Sequence, residues 1–204
     1  MGDIVQGDKT GDKPLSEVVK EFIKNKYNKP GEVFLGVVHR LDRPTTGIVA
    51  FARTSKALTR LNELFKNRET QKTYWAIVKN RPDKDSDTLV HYLKRNEKTN
   101  TSKAFAKEVP ESKMASLDYT VIKVLNNYTA LEINLHTGRH HQIRAQLSAI
   151  GSPIKGDLKY GADRSNPDGG ICLHARKLAL FHPVTKEHLE ITAPVPDEAL
   201  WKSI

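Results

Sequence analysis

Two stretches of this chain hold residues whose types and spacing could do chemistry. In VVHRLDRPTTGIVAFAR (residues 37–53) a charged turn interrupts two apolar runs, 33–38 and 48–52. The turn places one carboxylate, Asp42, among His39, Arg40 and Arg43, and opposite charges within reach favour the ionised form. Pro44 limits the backbone just after it and Gly47 permits an unusual conformation. An exposed turn whose Asp bonds backbone amides is the plainer reading. Flanking strands rich in Val, Ile and Phe read as buried, however, and a turn leaving a rigid scaffold is where functional groups collect.

The second stretch is LHTGRHHQIRAQLSAIG, residues 135–151. A helix is expected after Thr137-Gly138, ending at Gly151, with Ile143, Leu147 and Ile150 on its packed stripe. Arg144 lies roughly 60° around that helix from Leu147, at about 100° per residue. That puts its guanidinium on the border of the stripe, either snorkelling to solvent or reaching a neighbouring carboxylate. His136 and His140 have ligand-like spacing but lack the Cys or carboxylate companions of a zinc site, so no metal is expected. Arg139, His140 and His141 are expected instead to meet phosphates at the helix N-terminus.

The remaining pattern supplies the elements that must hold these groups. Residues 1–14 read as an exposed lead-in. A helix over 15–27 carries Leu15, Val18, Val19, Phe22 and Ile23 at helical spacing and stops at Asn28-Lys29-Pro30-Gly31. A second helix over 55–67 has its stripe at Ala57, Leu58, Leu61, Leu64 and Phe65, with Thr54 or Ser55 as cap. KTYWAIV (72–78) is a strand containing Tyr74. Residues 80–109 read as a long, mobile loop or hairpin with at most a short strand at 88–93. Strands over 115–125 and 128–136 flank an Asn126-Asn127 turn, residues 156–170 form a Gly/Asp-rich loop, and strands over 171–180 and 188–192 follow. Hairpins argue for an α+β class built on a mostly antiparallel, mixed central sheet flanked by helices and loops.

A chain of 204 residues can bury a sizeable core, and one domain over 1–204 is expected. No apolar stretch is long enough for a membrane span, and a lone cysteine, Cys172, suits a reducing cytoplasm. The net charge of +9 favours a polyanionic partner.

HRLDRPTTG resembles the HRLDxxTSG signature of the RluA-type pseudouridine synthases, with Thr46 where that family more often has Ser. TGRHHQIR is similar to its second signature, TGRxHQIR. KTYWAIV resembles the strand whose Tyr lines the active site, and CLHARKLALFHP (172–183) the LHAxxLxxxHP element whose apolar residues wall the pocket. The four recur in the family's order, and the resemblance runs from about Gly11 to Pro194. Family members usually carry upstream strands and often an S4 domain, which this chain is expected to lack.

The resemblance implies the pseudouridine synthase catalytic fold and isomerisation of specific uridines in ribosomal or transfer RNA, without cofactor or metal. It implies Asp42 as the catalytic residue, Arg144 as its ion-pair partner holding its pKa low, and Tyr74 against the flipped base. Arg40 would enter the gap left in the RNA. His39, Arg43, Arg139, His140 and His141 would contact RNA, and Cys172 and Leu173 would wall the pocket. The expected state is a cytoplasmic monomer. A non-catalytic RNA-binding module with the same basic surface is the alternative, and it would tolerate loss of Asp42. A metal-dependent nuclease would need clustered carboxylates that the pattern does not offer.

Overall fold

The computed structural model describes residues 4–7 and 11–204. Its centre is a mixed sheet in the order β10-β9-β4-β8-β7-β5-β6, with β2 pairing parallel to β9 and every other pair antiparallel. The strands are β2 (Thr46–Gly47), β4 (Gln71–Val78), β5 (Ser86–Asn96), β6 (Thr101–Phe105), β7 (Lys113–Val124), β8 (Thr129–Leu135), β9 (Leu173–Phe181) and β10 (His188–Thr192). β1 (Gly36–Val37) and β3 (Phe51–Ala52) pair in a separate two-stranded ribbon. The helices are α1 (Leu15–Lys26), α2 (Ser55–Lys66), α3 (Gln142–Ala149) and the short α4 (Ala199–Lys202), with a 3-10 turn at Leu158–Tyr160. The class is α+β, as the hairpin pattern predicts.

Alternation is plain in β7, whereas β4 and β8 bury consecutive residues, Ala76 to Val78 and Thr129 to Leu131, in the sheet's main core. Leu131 and Ile133 of β8, Ala76 and Val78 of β4, and Leu117 of β7 are fully buried. With Leu147 of α3 and Trp201 of α4 they form one cluster. α2 covers a second cluster through Leu61, packed with Ala52 of β3 and Leu178 and Leu180 of β9. Its start is capped as expected: the Thr54 hydroxyl accepts from the Ala57 N–H at 3.1 Å. Gly151 follows α3 at φ 76°, the left-handed conformation that glycine adopts without penalty.

The structure corrects some expectations and refines others. Of the two readings of residues 80–109 the hairpin holds and the loop does not: β5 and β6 pair as a hairpin of the main sheet, with strands longer than the short one expected at 88–93. The runs at 33–38 and 48–52 yield only short, half-buried strands, with Phe34 exposed. α1 buries Ile23, whereas Val18 and Phe22 remain exposed. In the 1–14 lead-in, Ile4 and Val5 are buried, their carbonyls accepting from the N–H groups of Leu15 and Ser16. The rest of that expectation at 1–3 and 8–10 lies outside the described residues. Among the described residues no helix is long and apolar enough to cross a membrane.

Candidate active site

The charged turn is stapled to β9. The Asp42 carbonyl accepts from the Thr45 N–H (2.8 Å), closing the turn, and the Pro44 carbonyl accepts from the Ile171 N–H (3.0 Å). Thr46 then pairs with His174, where its hydroxyl lies 2.8 Å from Nδ1, and Gly47 pairs with Ala175. Thr46 therefore keeps the hydroxyl that a Ser would supply. At Gly47 φ is +116°, and an added Cβ would stand 2.3 Å from the Ala175 carbonyl oxygen. Only glycine satisfies both constraints, so this residue sets how closely the Asp42 turn approaches the sheet.

His39 braces the other end of the turn. Its Nε2 accepts from the Ala50 N–H at 2.9 Å, and its ring stacks on Phe65 with centroids 4.8 Å apart. Burial, helped by the Lys72 charge, lowers its pKa to about 4. His39 lines the cleft as a neutral ring at neutral pH, so any part it takes in holding RNA is by hydrogen bonding or stacking rather than by charge.

The loop into α3 is organised by Gln142. Its Oε1 accepts from the Thr137 hydroxyl (2.7 Å) and the Arg139 N–H (2.9 Å), while its Nε2 donates to the Ser116 carbonyl (3.1 Å). These bonds hold residues 137–141 as a turn, so α3 begins at Gln142, later than expected. His141 precedes it at φ 51°. Arg144 is only 4% exposed, not bordering solvent, because the loop carrying Asp157 and Tyr160 closes over it.

Arg144 donates from Nε and one terminal nitrogen to the two Asp157 oxygens at 2.7 and 2.8 Å. Its other terminal nitrogen reaches Asp42 Oδ2 at 3.4 Å, and its Cζ lies 4.9 Å from the Tyr160 ring centroid. Burial alone would lower the Arg144 pKa, but the bonds and charge of Asp157 outweigh it and the pKa is raised. His141 Nε2 approaches the same Asp42 oxygen at 3.6 Å. Asp42 thus faces two long contacts. The expected low pKa is corrected: burial raises it, and the Arg144 charge, already engaged by Asp157, does not compensate.

These groups open on a cleft of about 2000 Å³. Tyr74 lines it, beside a register irregularity between β4 and β9 at Thr73/Tyr74 of the kind that re-aims side chains near sites. Burial, then the Asp42 charge, raises its pKa, so the phenol is neutral. Leu173 lines the cleft as expected. Cys172 does not: it is buried in the main core, with the Asn166 amide donating to its Sγ at 3.5 Å.

Arg40, Arg43 and Arg139 line the cleft, with Arg43 also paired to Asp12 at 2.8 Å and the Arg139 Nε donating to the Met114 carbonyl at 3.0 Å. His140 and His141 stack on each other at 3.8 Å. Burial first, then surrounding cations, lowers their pKa values to about 4 and about 3. Both line the cleft and are neutral at neutral pH, so toward a phosphate they offer hydrogen bonds rather than charge. His136 pairs with Asp118 and His140 with Ser102, so their ligand-like spacing brings the rings to different partners. Sequence reasoning missed Arg95 and Lys159 on the cleft wall, and Asp157 and Tyr160 beneath it. The signal was slight: an Asp between Gly156 and Leu158, inside a stretch with no period.

Comparison with known proteins agrees with the motifs. Residues 2–149 match the family model described as RNA pseudouridylate synthase, and the chain belongs to that family. It is 37% identical over 167 residues to an uncharacterized RNA pseudouridine synthase of Chloroflexus aurantiacus, covering 81% of this chain and 52% of that protein. It is 34% identical over 176 residues to the ribosomal large subunit pseudouridine synthase D of Vibrio cholerae, covering 80% and 53%. The chain spans about half the length of these curated relatives. In fold it is similar to human RNA pseudouridylate synthase domain containing 4, with TM-score 0.78, 24% identity, and 96% of this chain and 83% of that one covered.

Proposed function

We propose that this chain isomerises uridine to pseudouridine in RNA with Asp42 as the catalytic residue. The observation that carries the reading is a partly buried carboxylate with only long contacts to Arg144 and His141, facing a cation-lined cleft. A carboxylate so under-bonded is a stronger base and nucleophile than one saturated by donors. The reaction breaks the bond from ribose C1′ to N1 and joins C1′ to C5. The C5 proton leaves and N1 gains one, so atoms balance without a cofactor. Asp42 supplies the electron pair, as a nucleophile at C1′ or C6 or as a base toward the C2′ proton.

The target uridine must leave its stack to reach Asp42. Tyr74, a neutral phenol on the cleft wall, would stack on the flipped base, and Arg40 would enter the gap it leaves. Arg139, Arg95 and Lys159 would hold phosphates. Ribosomal RNA is the favoured substrate, supported by relatives named for the large subunit, and the chain would act as a cytoplasmic monomer.

The test is incubation of the purified chain with unmodified ribosomal RNA and, separately, transfer RNA, followed by nucleoside digestion and site mapping. Pseudouridine at a defined ribosomal position is expected. Conversion confined to transfer RNA would overturn the substrate, and conversion of neither would overturn the activity.

A further inference from the structure

His141 sits at the end of a buried chain of hydrogen bonds that starts on the β5–β6 hairpin. The Ser102 backbone N–H donates to the Tyr160 hydroxyl oxygen at 2.7 Å, and that hydroxyl lies 2.9 Å from His141 Nδ1. The other ring nitrogen, Nε2, lies 3.6 Å from Asp42 Oδ2. Tyr160 and His141 are each 8% exposed, so solvent does not complete their hydrogen bonding.

The proton positions follow from counting donors. The tyrosine oxygen already receives the Ser102 N–H, and its own proton needs an acceptor. His141 Nδ1 is the acceptor within reach. Were Nδ1 protonated instead, two donors would point at one hydroxyl whose proton had nowhere to go, a costly arrangement in a buried site. The same choice settles the other side of the ring. An unprotonated Nε2 would aim a lone pair at a carboxylate, whereas an Nε2–H aims a donor. A doubly protonated ring is disfavoured by burial and by the nearby Arg144, His140, Lys159 and Arg95, which lower the pKa to about 3.

We propose that His141 is a positioning residue for Asp42: Tyr160 holds its imidazole as the Nε2–H tautomer, which offers the carboxylate a neutral donor beside the charged one of Arg144. The 3.6 Å separation exceeds a formed hydrogen bond, and catalytic hydrogen bonds often tighten only when substrate fills the site. A neutral donor orients a carboxylate without adding a second cation, so it directs Asp42 while leaving it basic. The link to Ser102 ties this orientation to the hairpin, giving the cleft wall a mechanical connection to the carboxylate. The catalytic part of this inference rests on the proposed role of Asp42, but the tautomer does not.

Nitrogen NMR of histidine-labelled protein at neutral pH reads the tautomer directly, with the His141 signals assigned by their loss in His141→Gln. An Nε2–H ring with unprotonated Nδ1 is expected in the parent, and the Nδ1 signal should move in Tyr160→Phe. An Nδ1–H ring in the parent would overturn the proposal, as would an unchanged Nδ1 signal in Tyr160→Phe. Single-turnover kinetics complete the test. His141→Gln, whose amide can reach where Nε2 stands, should keep a rate near the parent's. His141→Asn is too short and should lose roughly 10- to 100-fold in rate at saturating RNA, with RNA affinity unchanged. Equal rates for Asn and parent would refute the positioning role. An inactive parent would instead refute the function, while the spectra would still decide the tautomer.

Discussion

Arg144 belongs first to Asp157 and only second to Asp42. It makes a two-pronged contact to the Asp157 carboxylate at 2.7 and 2.8 Å and a single 3.4 Å contact to Asp42. A guanidinium fork fits one carboxylate edge-on with high geometric preference. Asp157 is almost wholly buried and Asp42 is partly open, so the stronger pair forms where water cannot compete. The arrangement fixes the direction of Arg144 without consuming the basicity of Asp42.

Replacing Asp157 with alanine should therefore unfold the site. It strands a buried guanidinium, which costs on the order of 3–5 kcal/mol. Urea denaturation reads the loss directly. A variant within about 1 kcal/mol of the parent would show that the pair contributes little to the fold.

Asp42→Asn should behave in the opposite way. Burial already disfavours the charged form of Asp42, so the neutral amide should melt at or above the parent's temperature. RNA affinity should hold, because phosphate contacts come from the cationic wall. Pseudouridine formation should drop below detection in single turnover. Conversion near the parental rate would remove Asp42 from the proposed mechanism.

Gly47→Ala tests the close approach of the turn to β9. The new Cβ would meet the Ala175 carbonyl oxygen at 2.3 Å and its nitrogen at 2.6 Å. Overpacking of this kind costs about 1–3 kcal/mol, and the positive φ adds to it. Thermal melting should fall accordingly, and activity should fall further than stability, since the turn carries Asp42. Unchanged melting would mean that the turn can move away from β9 freely.

Acid should destabilise the fold through its buried histidines. His39 and His140, at about 4, and His141, at about 3, hold fewer protons folded than unfolded, where the value is 6.5. Their contribution to stability is present above about pH 6.5 and is lost as pH falls toward 4. Asp42, whose pKa is raised, has the opposite sign and offsets part of that loss. Denaturation midpoints from pH 7.5 to 4.5 should decline, and replacing His39 with glutamine should flatten the slope. A midpoint independent of pH would contradict neutral burial of these rings.

Local patterns carried the parts of this molecule that local physics controls. The Asn126-Asn127 hairpin, the Thr54 cap and the stop at Gly151 each depend on a few neighbouring residues, and each was legible. Asp42, Tyr74 and Arg144 were readable because each stands in a dense motif, and the fold brings all three to one cleft. A hairpin over 80–109 was one of two readings, but the length of its strands and their place in the main sheet were not legible, because the polar strand ends show no alternation for burial to impose. The apolar stripe of α1 was legible as a pattern, but its burial was not, since a stripe says nothing of what covers it: Ile23 is buried while Val18 and Phe22 are exposed.

What the sequence alone determined is which groups this protein has to work with: one carboxylate in a turn, a nearby arginine, a tyrosine strand and a cationic surface. Their order and local geometry follow from short-range constraints. Tertiary structure decided how they are charged and paired. Asp157 lies 13 residues from Arg144 and Tyr160 lies 58 from Ser102, separations at which no periodicity operates. Protonation is decided in the same way. His39, His140 and His141 would titrate close to neutrality if exposed, and are held as neutral hydrogen-bonding groups well below that because burial removes the water that would stabilise their charge.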